Sequence, residues 1–96
     1  MDKKLIILAR IEANNDKVEQ VKAELLKLIE PTLKETGCIQ YHLHQDNEKP
    51  SVFVFYEIWE SRALWQQHLN SVHILEHRSA VDGAISSFTL NEMTHL

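Results

Sequence analysis

The chain has 96 residues, of which 44% are hydrophobic and 25% are charged, and these values are typical of one soluble globular domain. We therefore predict a single domain over residues 1–96. Ten basic against fourteen acidic residues give a net charge of -4. This balance argues against a nucleic-acid partner, because binding a phosphate backbone requires a basic face.

The cysteine count and the N-terminal segment restrict the compartment and the class of protein. The single Cys38 cannot form an internal disulfide, which fits a reducing cytoplasm. No set of Cys and His residues has the paired spacing of a structural zinc site, and we expect no metal and no cofactor. The apolar run at 5–13 is interrupted by Arg10 and Glu12, so we expect neither a signal peptide nor contact with a membrane.

The first part of the chain predicts a strand and an amphipathic helix. Residues 5–13 begin apolar and then alternate in polarity, as a strand does. Asp16 and Glu19 have the form of a capping box, and apolar residues then recur at steps of three and four. Pro31 should kink or interrupt this helix because it lacks an N–H. Gly37 should end the helix in a left-handed conformation.

The rest of the chain predicts a hairpin, a helical region and a last strand. Residues 39–45 alternate in polarity, residues 51–60 are rich in β-branched and aromatic residues, and a polar turn lies between them, which is typical of a β-hairpin. Ser61 is a candidate N-cap for a helix, and Ser71 can cap a further turn or two that Asp82 and Gly83 end. Residues 84–93 predict the last strand. The order β-α-β-β-α-β predicts an α+β, ferredoxin-like antiparallel sheet with both helices on one face.

The strand at 51–60 also bears on the oligomeric state. Both of its faces are apolar or aromatic, so both faces of the sheet should be buried, yet two helices cover only one. An isologous homodimer in which two sheets pack face to face into a barrel would cover the second. The alternative is loose packing of this face or cover by the C-terminal tail.

Histidines are frequent in this chain, with six in 96 residues. His68 follows Trp65 by three residues, which places an imidazole beside an indole on a helix face that should look toward the sheet. His73 and His77 share a helix face, but no third ligand or HExxH glutamate accompanies them. A role facing solvent or capping a helix is the default for this pair.

Aromatic residues predict a pocket for a flat, apolar ligand. Trp59 and Trp65 flank the junction between strand and helix, and Tyr41 can extend them into an aromatic-lined cavity. The same rings could instead be core. His42 and His44 share one strand face, and the sequence leaves open whether it faces the pocket, a dimer interface or solvent.

Glu57 stands in the middle of an otherwise apolar strand. Such a carboxylate must be paired, with Arg10, Arg62 or a histidine as candidates, or have its pKa raised by burial. A structural ion pair and a catalytic role both remain open for it.

Three segments resemble the antibiotic biosynthesis monooxygenase superfamily. They are the E-x-G-C-x-x-Y pattern at 35–41, the F-x-x-x-E-x-W pattern at 53–59, and an Ala-Leu pair followed by two histidines at 63–73. The resemblance covers nearly the whole chain and implies the dimeric α/β barrel of that superfamily.

The resemblance also implies an activity. The chain is similar to small quinol and anthrone monooxygenases. This resemblance implies a cofactor-independent enzyme that oxidises a small aromatic quinol or phenol with O2. His68 would be the base or the phenolate partner, and Glu57 would orient a histidine or a water. The pocket would be shaped by Trp59, Trp65, Tyr41, His73 and His77.

Other branches of the superfamily give the alternatives. One is an isomerase or degrading enzyme for a phosphorylated autoinducer-2-type sugar derivative, which requires cationic anchors for the phosphate. Another is a haem-degrading monooxygenase, for which Trp65 with His68 or His77 is suitable but the expected Asn on the first strand is missing. The last is a non-catalytic dimeric sensing domain, since one fold hosts many functions.

Overall fold

The computed structural model describes residues 4–96; residues 1–3 of the N-terminal segment considered above lie outside the described part. Its elements are β1 (Leu5–Ala13), α1 (Val18–Leu26), α2 (Ile29–Leu33), β2 (Cys38–Gln45), β3 (Val52–Trp59), α3 (Arg62–Leu69), α4 (Val72–Ala80) and β4 (Ile85–Met93). Each predicted strand is present within two residues of its predicted bounds. Within residues 4–96, no helix is long and apolar enough to cross a membrane.

The four strands form one sheet in the order β2-β3-β1-β4, and each neighbouring pair is antiparallel. This confirms the predicted α+β, ferredoxin-like fold. In the register of the central strands, Ile7 pairs with Glu57 and Ala9 with Phe55, while Tyr41 of β2 also pairs with Glu57. Directly paired residues share one face of an antiparallel sheet, so these five side chains lie on the same face.

That face carries the core and is covered by the helices. Alternation along β1 and β3 brings every second side chain to it, and the helices supply the apolar residues that pack against them. The core combines strand residues with Val21 and Leu25 of α1, Trp65 of α3 and Ile74 of α4. The Phe53 side chain of β3 is 1% exposed and belongs to this core.

The predicted capping box at Asp16 and Glu19 is wrong. Helix α1 begins at Val18, with Lys17 in the N-cap position and no side chain capping the free N–H groups. The N-cap at Ser61 is confirmed, because its hydroxyl accepts a hydrogen bond from the Leu64 backbone N–H at 3.2 Å.

Pro31 interrupts the first helical region as predicted. The break between α1 and α2 falls at residues 27–28, where the ring of a proline crowds the carbonyl four residues before it. Gly37 has the predicted left-handed backbone, with a φ of +89°, but it lies in the turn before β2, whereas the helix already ends at Leu33. A Cβ at Gly37 would lie 2.8 Å from Leu64 Cβ, so glycine allows this turn to approach α3 closely.

Candidate functional site

A cavity of about 440 Å³ lies between the helical layer and the sheet face that packs against it. Its wall is largely apolar and includes Ile11, Leu25, Phe55, Trp65, Ile74 and Leu90. The buried Glu57 and His68 and the half-buried His77 also line the cavity. The exposed Arg78 and Asp82 lie on the same wall. An apolar enclosure with few polar groups is typical of a small-molecule site.

His68 is held in a fixed position at the wall of this cavity. The residue is 2% exposed, and its ring centroid lies 4.8 Å from that of Trp59 and 5.6 Å from that of Tyr41. His68 Nδ1 lies 2.6 Å from Glu35 Oε2. Aromatic packing and this short polar contact together fix the orientation of the imidazole.

Glu35 joins two histidines through one oxygen atom. Its Oε2 lies 2.6 Å from His68 Nδ1 and 2.8 Å from His73 Nε2. An ionised carboxylate can only accept hydrogen bonds, so each of these ring nitrogens carries a proton and donates it. For a neutral His68 this assigns the hydrogen to Nδ1 and leaves the lone pair on Nε2.

The protonation state of His68 follows from its surroundings. Burial lowers its pKa below the ordinary value of 6.5, and the nearby Glu35 carboxylate opposes that effect in part. The ring is therefore neutral at pH 7. No described residue hydrogen-bonds to Nε2, so this nitrogen is the one available to a molecule in the cavity.

Glu57 has a different environment on the same wall. It is 4% exposed, and its Oε1 accepts a hydrogen bond from Trp59 Nε1 at 2.9 Å. Burial raises its pKa to about 7, opposed by the Trp59 bond and reinforced by the charge of Glu35. The ion pair with Arg10 or Arg62 considered from the sequence is not formed.

The two arginines are engaged elsewhere for simple geometric reasons. Arg10 lies on the opposite face of the sheet, paired in register with Val54, and bonds to Glu12 at 3.4 Å. Arg62 forms an ion pair with Glu92 at 2.8 Å.

Two further titratable groups, the Tyr41 hydroxyl and the Cys38 thiol, lie near Glu57. Burial raises the pKa of the Tyr41 hydroxyl above its ordinary range, and burial raises the pKa of the Cys38 thiol to about 11. Neither group is ionised near neutral pH, so Cys38 is not an activated nucleophile.

The predicted pocket residues divide into two groups. Tyr41, Trp65 and His77 line the cavity, but Trp59 and His73 do not. Trp59 is fully buried behind the His68 ring, so the indole that packs against His68 is Trp59 and not the expected Trp65. His73 is directed at Glu35 instead of at solvent.

His77 is also not on the solvent side. Burial lowers its pKa, and its Nδ1 is buried without a hydrogen-bond partner among the described residues. His73 and His77 share a helix, as predicted, but His73 contacts Glu35 whereas His77 lines the cavity.

His42 and His44 lie on the sheet face opposite the cavity. Both are exposed in the single protomer, and their ring centroids lie 6.4 Å apart. His44 Nδ1 lies 3.3 Å from the Val54 carbonyl oxygen. Of the three positions that the sequence left open for these histidines, the pocket is therefore excluded.

The atoms of Glu35, His68 and His73 also form the one compact group of metal-binding type found among residues 4–96, with all three ligand atoms within 4.8 Å of one another. Two ligands of one tetrahedral zinc ion lie roughly 3.3 Å apart, given metal–ligand distances of about 2.0–2.1 Å. The observed contacts of 2.6 and 2.8 Å are shorter, which is the geometry of direct hydrogen bonds.

Sequence reasoning did not single out Glu35 as a site residue. It lies 33 positions before His68 in the chain, so no local spacing pointed to the contact. Its place in the E-x-G-C-x-x-Y pattern was the available signal.

Comparison with known proteins places the chain in a family. Residues 4–80 match the family model for antibiotic biosynthesis monooxygenase. The crystal structure of PA3566 from Pseudomonas aeruginosa superposes with a TM-score of 0.96 at 29% identity, covering 100% of this chain and 97% of that one.

Two sequence relatives agree with this match. Rv0793 of Mycobacterium tuberculosis, provisionally named a monooxygenase, is 30% identical over 84% of this chain and 79% of its own length. The Synechocystis protein sll1783 is 31% identical over 78% of this chain, and the chain spans only 51% of that longer relative. With the family pattern matched over most of its length, the chain belongs to the antibiotic biosynthesis monooxygenase family.

Proposed function

We propose that this protein is a cofactor-independent monooxygenase that oxidises a small aromatic quinol or phenol with O2. The observation that carries the proposal is the state of His68: a buried, neutral imidazole with Nδ1 bound to Glu35 and Nε2 available to a largely apolar cavity. This is the arrangement of a general base whose tautomer is fixed by a carboxylate.

Proton removal is the first step of the proposed reaction. Triplet O2 reacts slowly with closed-shell organic molecules, and a phenolate gives up an electron far more readily than a phenol. His68 Nε2 takes the hydroxyl proton, and the Glu35 carboxylate stabilises the imidazolium that forms. The same contact keeps the ring oriented, because Glu35 Oε2 lies 2.6 Å from Nδ1.

The remaining steps balance without an external reductant. The phenolate transfers one electron to O2, and the substrate radical and superoxide combine to form a carbon–oxygen bond. Loss of water from the resulting hydroperoxide leaves a new oxygen on the ring, so that a benzene-1,4-diol and O2 give a hydroxyquinone and water. The substrate supplies all four electrons that reduce O2.

The cavity wall fits the substrate class. Apolar and aromatic side chains such as Phe55 and Trp65 suit a flat ring, and they exclude water from the radical pair. Among the described lining residues, Arg78 is the one Lys or Arg side chain. A phosphorylated sugar would need more cationic groups than this, so the aromatic substrate is preferred.

Oxygen uptake in the presence of a benzene-1,4-diol tests this proposal. The purified protein is expected to accelerate uptake over the uncatalysed rate and to form the hydroxyquinone, with no product under anaerobic conditions. His68→Ala should lower the rate by about 10²–10⁴-fold, the usual contribution of a general base. Unchanged uptake in a folded His68→Ala variant would overturn the assignment of the base.

We also propose that the protein works as a homodimer through the open face of the sheet. Ile6, Leu8, Val54, Tyr56 and Ile58 all lie on this face by their register, and none of them faces the helices. A soluble protein rarely leaves so continuous an apolar patch uncovered. Packing two copies face to face buries it in both.

A charge on this face tests the dimer. Leu8→Lys should give a monomer by light scattering, since it places a lysine in the centre of the proposed interface, opposite Tyr56. Gln66→Lys, on the exposed side of α3, should leave the mass of the wild type unchanged. A monomeric wild type at tens of micromolar would contradict the proposal.

A further inference from the structure

Glu57 is the buried group in this site for which base catalysis by His68 gives no role. It lines the same cavity as His68, and it sits in the central strand β3, where its backbone is fixed by pairing with Ile7 on one side and Tyr41 on the other. A buried carboxyl group in an apolar strand is costly unless it is neutral or paired.

The polar contacts of Glu57 use only one of its two oxygens. Oε1 accepts the Trp59 Nε1 hydrogen bond at 2.9 Å, and no described residue bonds to Oε2. An indole N–H can only donate, so this contact occupies an acceptor and leaves the second oxygen to carry a proton toward the cavity.

Arg78, Asp82 and His77 line the same cavity as Glu57, but the groups that shift the pKa of Glu57 besides burial are Trp59 and Glu35. The titratable neighbours of Glu57 are Tyr41 and Cys38 of β2, together with Glu35 and the neutral His68. The first two are uncharged near neutral pH and the third is anionic. The uncharged neighbours do not favour the ionised form of Glu57, and the charge of Glu35 favours the protonated form.

We propose that Glu57 is a second catalytic residue, which in its acid form donates a hydrogen bond to the hydroxyl oxygen of the bound phenol. This deepens the proposed function: the substrate oxygen gives its proton to His68 Nε2 and accepts a hydrogen bond from Glu57. The proton of Glu57 stays on Glu57. As negative charge develops on the phenol oxygen, this buried donor stabilises it more than water would.

The geometry assigns a specificity as well. A site with one acceptor, His68 Nε2, and one donor, the Glu57 carboxyl, matches a hydroxyl group, which both donates and accepts. A substrate carboxylate at the same position would accept the Glu57 hydrogen bond but would present a second lone pair to His68. The site therefore selects phenols over aromatic acids.

Binding of 4-methylphenol, measured by calorimetry without oxygen, tests this role between pH 6.5 and 8.5. This phenol stays un-ionised throughout the range, so changes in affinity report on the protein. Affinity for the wild type should fall about 25-fold across the range, because the donor is lost as Glu57 ionises through a pKa of about 7. Glu57→Gln, which keeps an acceptor for Trp59 and an N–H donor for the ligand, should bind with nearly constant affinity.

Glu60 is an exposed carboxylate just after β3. The Glu60→Gln variant is therefore the matched control and should follow the wild-type profile. Equal profiles for the wild type and Glu57→Gln would overturn the proposal. So would affinity that rises with pH, since that would mean an ionised carboxylate accepting from the ligand, and so would an absence of binding at every pH.

The test is independent of turnover. If a benzene-1,4-diol is not oxidised but 4-methylphenol shows the Glu57-dependent profile, the oxidation proposal fails and the donor role stands. If oxidation occurs and the profile is absent, the reverse holds.

Discussion

Two carboxylates, the half-buried Glu35 and the buried Glu57, border the same site and have opposite surroundings. Glu35 accepts hydrogen bonds from two imidazoles, at 2.6 and 2.8 Å. Glu57 accepts one from an indole, at 2.9 Å, and is otherwise enclosed. The hydrogen-bond partners of a carboxylate therefore decide which chemistry it performs. With two histidine N–H groups, Glu35 can hold and charge-stabilise a base, whereas the enclosed Glu57 is suited to the acid form.

The largest expected effect concerns the stability cost of enclosing Glu57. The folded pKa of about 7 lies above the usual value of 4.5, so the unfolded state holds fewer protons between these values. The contribution of Glu57 to the free energy of unfolding is therefore fully present below pH 4.5 and is lost as the pH rises through about 7. Glu57→Gln should be more stable than the wild type by about 3 kcal/mol at pH 8.5, given 1.36 kcal/mol per pKa unit.

Urea unfolding at pH 4.5 and 8.5, at one protein concentration, measures this difference. At pH 4.5 the two proteins should be nearly equal, because Glu57 is then protonated in the folded state and still half protonated in the unfolded state. Glu60→Gln, with an exposed carboxylate, should match the wild type at both values. A Glu57→Gln variant with the same pH dependence as the wild type would show that Glu57 is ionised in the fold.

The second largest effect is expected from removing the charge of Glu35. Glu35→Gln should lower kcat for the proposed oxidation by about 10–100-fold, the usual cost of losing a carboxylate that orients a catalytic histidine. Because Glu35 raises the pKa of His68, the acid limb of the pH–rate profile should also move to lower pH.

That shift separates a positioning role from a purely structural one. Glu48→Gln, in the exposed turn between β2 and β3, is the control and should change neither kcat nor the profile. A loss of kcat in Glu35→Gln with an unmoved acid limb would mean that Glu35 supports the fold without setting the state of His68.

The sequence predicted the fold far better than these contacts. Alternation in β1 and β2, the β-branched and aromatic residues of β3, and the two helical periodicities were sufficient to predict the fold, because each strand has a face that must be buried. The apolar and aromatic residues on both faces of β3 indicated that Glu57 would be buried. The alternation of side chains along a strand also places Trp59, two positions on, on the same face, so the partner of Glu57 was available to strand periodicity although arginines were considered first.

Glu35 could not be found in this way. Its contact with His68 depends on how closely the turn at Gly37 approaches α3, and that approach is a property of the packed fold. Only the φ of +89° at Gly37 and its nearness to Leu64 explain why the turn reaches the helix. Spacing within one element carries no information on such a contact.

A third and smaller effect follows from reducing the partners of Glu35 from two to one. His73→Asn leaves the His68 contact in place and should lower kcat only about two- to fivefold, in line with the loss of a single supporting hydrogen bond of about 0.5–1 kcal/mol. Because the charge of His73 lowers the pKa of His68, the acid limb should move to higher pH, opposite to Glu35→Gln. Kinetics of both single variants and the double variant measure this, and strictly additive losses would contradict a shared carboxylate.

The smallest effect is expected where histidines have no carboxylate at all. His42 and His44 lie with ring centroids 6.4 Å apart, close to the 6.0 Å between His68 and His73, but both are exposed and on the opposite face of the sheet. His42→Ala/His44→Ala should therefore change kcat/KM by less than about twofold, as is usual for exposed substitutions away from a site. Oxygen uptake per protomer measures this, with light scattering to confirm that both proteins have the same mass. A tenfold loss at equal mass would mean that the open face contributes to the reaction, and the environment of Glu35 would then no longer explain which histidines are catalytic.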